Sequence, residues 1–426
     1  MVNAWLTVCR SLSALSSKGL FHIFGANVIN KVVGFGTNIA IVWFLTKDEY
    51  GIFSYASNIF SIALLFTGFG LLTGMYQLCL EDRPDQEKSM IRRYTLTRGM
   101  LVDAAITLVV VSTGLFIPLP IEAAGAYLAL FGPLLLLDYA FQYASVVLRM
   151  NLENKKFSAL QSANTIAYFI GACFGAYLAG IVGTIAGRYI AYSVSLVAAL
   201  YLLSSTRHKY RTRDKLQPYI KHDLWSYAIP TQISSGINQL TYLLDVFLVG
   251  FFIQDVSLVA TYKVATILPE GFSFIPGSII MFALPYFVKR NHDRNWFSKK
   301  STAFLGVGAV LYALIAILLV VLAPAIIELL WGPSYREAVG PFRILAISFV
   351  FNALRSSCTN LLCACRAVKS NLVVSLASLV VNVVLCLFLI PAFGIFGAAV
   401  APMSVSIISA AISFLLLKRT VAQMQD

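Results

Sequence analysis

From Phe21 to Leu417 the chain is a succession of apolar stretches parted by short polar segments. Each stretch is roughly 20 residues or longer, the length a helix needs to cross about 30 Å of hydrocarbon. Strands of a membrane barrel would instead be about 10 residues of alternating polarity, and that pattern is absent. A soluble chain of 426 residues also needs more charge to cover its surface than the 12% found here. The 59% hydrophobic content and mean hydropathy of +0.80 place the surplus apolar surface against lipid. The sequence therefore predicts an all-α, polytopic membrane protein of about 12 transmembrane helices. The spans fall near 22–45, 53–79, 99–118, 123–148, 157–180, 183–204, 225–252, 256–288, 302–329, 341–365, 371–391 and 395–417.

The net charge of +13 would suit a nucleic-acid binder, but the basic residues do not form a patch on a soluble domain. Of 32 Lys and Arg, 25 lie in loops and tails on one side of the predicted spans; the opposite loops hold only Lys47 and Arg336. That asymmetry is a topology signal, adding attraction to anionic lipid headgroups. It puts both termini in the cytoplasm and excludes a nucleic-acid partner. The outer loops are too short for an external catalytic domain. Residues 1–20 are too polar for a cleavable signal; Trp5, Val8, Leu12 and Leu15 recur at helical spacing and suit a cytoplasmic or interfacial segment. Cys9, Cys79, Cys173, Cys358, Cys363, Cys365 and Cys386 lie in or near apolar segments without zinc-ligand spacing, so free thiols and no metal site are expected.

Two local matches relate the halves of the chain. Gly51-Ile52-Phe53-Ser54-Tyr55-Ala56 pairs with Ala260-Thr261-Tyr262-Lys263-Val264-Ala265, and Gly180-Ile181-Val182-Gly183 pairs with Gly394-Ile395-Phe396-Gly397. The offsets, 209 and 214 residues, nearly agree. The predicted organisation is an N-terminal lobe of six spans (21–204), a basic cytoplasmic linker (205–224), a C-terminal lobe of six (225–419) and a tail (420–426). An even number of spans per lobe gives both the same orientation, as in transporters built from parallel repeats.

Polar groups inside the spans carry the functional argument, because an ionisable group at membrane depth costs a few kcal/mol or more. Asn27, Lys31, Gly34 and Asn38 share a face of span 1. Ser235, Asn238, Tyr242 and Asp245 share one on its counterpart, span 7. Asp138, Gln142 and Ser145 align on span 4, and Asn352, Arg355 and Thr359 on span 10. Lys263 and Glu270 lie two turns apart on span 8, and Arg188 lies in the outer third of span 6. Such stripes must face protein or water, which points to a hydrated cavity. Lys31, Arg355, Lys263 and Arg188 make it net positive, as an anionic head such as a phosphate requires. The plain alternative is ion pairing between helices, above all for Asp138 and Asp245. Asp103, Glu328 and Arg343 lie near enough to span ends to reach the interface and are set aside. Pro269-Glu270-Gly271 and Pro276-Gly277 predict a kinked or broken span 8.

Several segments resemble a known family: Asp48-Glu49-Tyr50-Gly51-Ile52-Phe53 after span 1, Asp245, Tyr262 to Ala265, Leu284-Pro285, Leu330-Trp331-Gly332-Pro333-Ser334-Tyr335, and Ile390-Pro391-Ala392-Phe393-Gly394-Ile395-Phe396-Gly397-Ala398-Ala399. Over essentially its whole length the chain resembles the Wzx-type O-antigen and exopolysaccharide flippases. These form the polysaccharide branch of the superfamily that also holds multidrug extruders and lipid II flippases. The resemblance implies a two-lobed, pseudo-symmetric, multidrug-extrusion-like fold in a bacterial inner membrane. It also implies transport of an undecaprenyl-pyrophosphate-linked glycan to the outer leaflet, with other polysaccharide-assembly proteins as candidate partners and no cofactor. Coupling to H+ or Na+ would fall to Asp138, Asp245 or Glu270. Lipid II flippases typically have fourteen spans, whereas this chain has room for twelve. Drug extruders usually rely on acids in the N-terminal lobe, whereas span 1 here carries Lys31. An ion-coupled exporter of small molecules is the rival reading. An enzyme is disfavoured: His22, His208, His222 and His292 are scattered and no catalytic constellation accompanies them.

Overall fold

The computed structural model describes residues 20–204, 216–290, 292–365 and 368–423. The predicted interfacial segment and the first half of the basic linker lie outside them. Among the described residues every regular element is helical. The order is α1 (Leu20–Phe44), α2 (Lys47–Leu64), a 3-10 turn (Thr67–Gly70), α3 (Leu71–Leu80), α4 (Asp85–Phe116), α5 (Ala123–Phe131), α6 (Leu134–Met150) and α7 (Asn154–Ser204). Then follow α8 (Pro218–Ile253), α9 (Val256–Phe272), α10 (Phe274–Lys289), α11 (Arg294–Trp331), a 3-10 turn (Pro333–Ala338), α12 (Val339–Ala364) and α13 (Val368–Ala422). The pairs α2/α3, α5/α6 and α9/α10 form the second, fourth and eighth spans.

Eight helical stretches among the described residues are long and apolar enough to cross a membrane, and α8, bent by 48° near its middle, makes a ninth. Two of the eight lie in α7 and α13, of 51 and 55 residues. Straight, each would be roughly 75–85 Å long, more than twice the hydrocarbon thickness. Both double back. Gly180 (φ 55°, ψ −132°) breaks α7, and Gly394 (φ 57°, ψ −135°) breaks α13. Only glycine adopts that backbone without strain. In α7 the contacts run antiparallel about the break: a Cβ on Gly183 would strike the carbonyl of Gly175, and one on Gly171 would crowd Gly187. Two Gly-x-x-x-Gly faces thus pack backbone to backbone, as membrane helices do when they approach closely. In α13, a Cβ on Gly397 would meet the Leu389 carbonyl in the same way. Counting each hairpin twice and adding α1, 25 residues long, gives the twelve spans expected from hydropathy. The near-identical dihedrals at Gly180 and Gly394, 214 residues apart, show the repeat in the backbone.

Helices outrun the apolar stretches on the side of the basic loops. The third span, expected from residue 99, begins at Asp85, with Asp85 and Glu87 in its first turn where carboxylates favour a helix start. Caps set other starts: Asp255 accepts from Ser257 N at 2.8 Å to open α9, and Asp293 from Trp296 N at 2.9 Å to open α11. At α2 a capping box joins Thr46 and Glu49: Thr46 N donates to Glu49 Oε2 at 2.9 Å, and Glu49 N to Thr46 Oγ1 at 3.2 Å.

Span 8, expected to be kinked or broken, is interrupted: Pro269 lies within α9, which gives way to α10 at Ser273, whose dihedrals stay near-helical (−60°, −16°). Spans 2 and 4 are also interrupted, which hydropathy did not anticipate. Pro133 caps α6 after the Gly132 turn in span 4. In span 2, Gly68, Phe69 and Gly70 all have positive φ.

The chain forms two compact units. One comprises residues up to Leu45, Phe60–Pro118 and Ala123–Ile233; the other comprises Thr46–Ile59, Leu119–Glu122 and Ser234 onward. In the first, Leu71, Met75, Ile91, Val147 and Ile220 build an apolar core from α3, α4, α6 and α8. In the second, Phe287, Phe297, Leu361 and Leu417 build one from α10, α11, α12 and α13. Phe287 there packs edge-on to Phe297 with centroids 5.3 Å apart, a favourable aromatic geometry. Both cores sit toward the basic-loop ends of their spans.

Candidate functional site

A cavity of about 480 Å³ lies within the second unit, enclosed by α2, α8, α9, α10, α12 and α13. Tyr242 and Asp245 reach it from α8, Lys263 and Glu270 from α9, Asn352 and Arg355 from α12, and Ser406 from α13. The helical periodicity read from the sequence explains why: residues 242 and 245, and 352 and 355, are three apart and share a face. The structure therefore brings together five predicted residues, Lys263, Arg355, Asp245, Glu270 and Asn352.

Arg355 sets the electrostatics of this cavity. Its Nη2 donates to Tyr242 Oη at 2.7 Å and to Asn352 Oδ1 at 3.0 Å, and Nε donates to Asn352 Oδ1 at 3.3 Å. The Tyr242 hydroxyl in turn donates to Asn352 Oδ1 at 2.9 Å. All these partners are neutral. Among the described residues no carboxylate pairs with Arg355, because the two acids in the cavity are engaged elsewhere. Glu270 Oε2 faces Lys263 Nζ at 3.5 Å. Asp245 is buried and accepts from Asn382 Nδ2 at 2.8 Å and from Cys386 Sγ at 3.7 Å. A small adjoining pocket of about 30 Å³, room for one water, runs from Tyr242 and Arg355 to Asp245, Asn382, Ser378 and Ser409.

Arg188 and Asp138 form a separate cluster in the first unit. Tyr192 Oη donates to Asp138 Oδ1 at 2.7 Å, and Gln142 shares a side-chain hydrogen bond with the same carboxylate. The Arg188 guanidinium sits 5.1–5.8 Å from the ring centroids of Tyr168, Phe60 and Tyr192 and feels the Asp138 charge. Cation–π contacts with an acid nearby engage this arginine internally, and neither Arg188 nor Asp138 lines the cavity of the second unit. Lys31, Asn27 and Asn38 are exposed on α1, where a side chain at Gly34 would meet open space. That polar face is uncovered, and none of the three lines the cavity. The side chain of Asn238 lies outside the described residues.

One expectation is reversed. Asp103 does not reach the interface: it is fully buried, and its Oδ1 accepts the Gly68 N–H at 2.7 Å. Because α4 starts at Asp85, residue 103 lies about five turns into the helix. Arg343 is exposed and Glu328 pairs with Arg336. The sequence reading also passed over Asn382, Cys386, Ser378 and Tyr192. On α13 the signal was present: Ser375, Ser378, Asn382 and Cys386 recur at intervals of three, four and four.

Apart from Asp245 and Lys263, which line the cavity, the segments that carry the resemblance make contacts between loops and helices. Lys47 pairs with Glu337 at 3.8 Å and lies 5.7 Å from the centroid of Tyr335. Gly51 leaves room for the Val256 backbone, where a Cβ would collide. The buried Tyr262 hydroxyl donates to the Ala398 carbonyl at 3.0 Å. They join loops and helix ends within the second unit.

A family of polysaccharide biosynthesis proteins matches this chain over residues 41–340. Among curated proteins, none matches significantly. Solved structures share the fold across nearly the whole chain. The lipid II flippase MurJ in an inward closed conformation has a TM-score of 0.75 at 15% identity, over 94% of this chain and 89% of its own. An inward-facing multidrug resistance MATE family transporter of the MOP superfamily has a TM-score of 0.71 at 12% identity, over 92% and 94%. A MOP superfamily transporter from Pyrococcus furiosus, described by the reversed polarity of its binding pocket, has a TM-score of 0.64 at 12% identity, over 96% of each chain. The twelve spans in two pseudo-symmetric lobes are thus the MOP transporter fold, and the chain, a multi-pass membrane protein, belongs to the polysaccharide biosynthesis protein family.

Proposed function

We propose that the protein is a flippase that moves a polyprenyl-pyrophosphate-linked oligosaccharide, an O-antigen or exopolysaccharide repeat unit, from the cytoplasmic to the outer leaflet by alternating access. The observation that carries this reading is Arg355: a guanidinium on a membrane-spanning helix, open to a cavity, held by Tyr242 and Asn352 and, among the described residues, paired with no acid. Arginine matches phosphate oxygens with paired donors, and its two neutral partners hold the fork in place without neutralising it. Lys263 adds a second cation, and Asn352, Ser348 and Ser406 offer groups that hydrogen-bond to sugar hydroxyls. The polyprenyl tail would stay in lipid, so only the polar head crosses. Without a hydrated, cationic path, a diphosphate would have to shed its water into hydrocarbon at prohibitive cost.

Deletion of the gene tests the reading. Lipid-linked oligosaccharide should accumulate in the cytoplasmic leaflet, and surface glycan should fall. Normal surface glycan in a strain without a redundant transporter overturns it. The rival, an ion-coupled exporter of small molecules, draws support from Asp245 and Glu270 in the same cavity, which would suit a cationic cargo. It predicts altered drug susceptibility on deletion with surface polysaccharide intact. In either reading, coupling to H+ or Na+ would involve these carboxylates, and the protein acts as a transporter rather than an enzyme.

A further inference from the structure

Asp103 is a buried acid that no cation answers among the described residues. Its Oδ1 is taken by Gly68 N–H at 2.7 Å, while Oδ2 is buried with no hydrogen-bond partner. In a continuous helix that N–H would go to the Leu64 carbonyl. Here α2 has ended, and Gly68, Phe69 and Gly70 follow with φ of 55°, 43° and 78°. The carboxyl thus stands in for a backbone hydrogen bond inside span 2, where a free N–H would be costly. Thr67 Oγ1, next along the chain, is likewise buried and without a partner.

The elements packed against α4 bring no counter-charge. The Thr67–Gly70 turn has no titratable side chain, α5 carries only Tyr127, and α3 carries Tyr76 and Cys79. From α6 come Tyr139, which lies against Gly68 and Gly99, then Tyr143 and Asp138. Asp138 makes the site more acidic, since its own bonds go to Tyr192 and Gln142. Arg149 is about three turns beyond Asp138 and stacks over Tyr76; Arg98 on α4 lies over the ring of Tyr94. An ionised carboxylate held this way, in a membrane span and without a cation, is neutralised most cheaply by a proton.

We infer that Asp103 is a proton-binding site, which holds a proton on Oδ2 in this conformation and releases it when the break in span 2 opens. On release the O–H bond breaks, the proton passes to incoming water, and the electron pair stays on the carboxylate. That charge then requires water or new donors, which a closed turn does not supply. Protonation of Asp103 and the geometry of the Thr67–Gly70 turn are therefore linked. The linkage does not depend on the cargo or on the cavity of the second unit.

Infrared spectra of the purified protein in lipid test this. Near neutral pH, where exposed carboxylates are ionised, the wild-type spectrum should contain a protonated-carboxyl C=O band that Asp103→Asn lacks. Asp103→Glu, which keeps an acid, should shift that band instead of removing it, so the test survives if the asparagine variant fails to fold. Wild type and both variants showing the same carboxyl region would overturn the proposal. Loss of the wild-type band when sodium replaces choline at constant pH would also overturn it, because the site would then take a metal cation.

Discussion

Arg355 holds two neutral partners and an open side, and this imbalance makes its neighbours positioning residues. Tyr242→Phe removes one acceptor of the guanidinium while Asn352 remains. A hydrogen bond to a charged group contributes about 1.5–3 kcal/mol, and part is retained, so transport should fall roughly tenfold. Arg355→Ala should abolish it with the protein still inserted, and Arg355→Lys should restore only a fraction, because an ammonium lacks the planar fork. Flux of lipid-linked glycan in membrane vesicles measures all three; full activity in Arg355→Ala would remove this residue from the site. The Lys263–Glu270 pair makes a different prediction. At 3.5 Å, with 28% and 48% of the side chains exposed, such a pair stabilises by at most about 1 kcal/mol. Lys263→Gln should therefore barely move the melting temperature in detergent while lowering transport. A large drop in melting temperature would show that the pair is structural glue.

At the scale of elements, hydropathy located every span, because twenty apolar residues in lipid admit one structure. It missed what happens beyond and within them. α4 runs about four turns past the apolar stretch, on polar residues that cost nothing in water, and this carries Asp103 into the interior. The breaks in spans 2 and 4 were illegible because Gly68, Gly70 and Gly132 weigh the same in a hydropathy window whether or not the helix continues. The stripe of Asn352 and Arg355 was legible as spacing, since a charge such as Arg355 stands out in an apolar span. The stripe of Ser375, Ser378, Asn382 and Cys386 on α13 had the same helical spacing but carries no charge, so it did not stand out. Glycine roles now separate. Gly394→Ala meets open space and pays only for its backbone, about 1–3 kcal/mol. Gly183→Val keeps an ordinary helical backbone but drives a side chain into the Gly175 carbonyl, so more than about 3 kcal/mol is expected. Thermal unfolding in detergent should rank the variants in that order; equal losses would mean that the α7 hairpin is not packed this closely.

At the scale of the molecule, the basic loops decide which way twelve spans face. We propose that they face the cytoplasm. The signal is spread over 25 residues against two, each basic residue worth about 1 kcal/mol beside an anionic surface. No single loop then dictates orientation. A reporter active only outside the cytoplasm should work when inserted at Ser334 and be silent when fused after Gln423. The same pattern should persist after Arg207, Lys209, Arg211, Arg213 and Lys215 are all neutralised, because the remaining loops still carry most of the asymmetry. An inverted or mixed pattern in that variant would mean that the linker alone orients the second lobe, and that the two lobes insert as independent units.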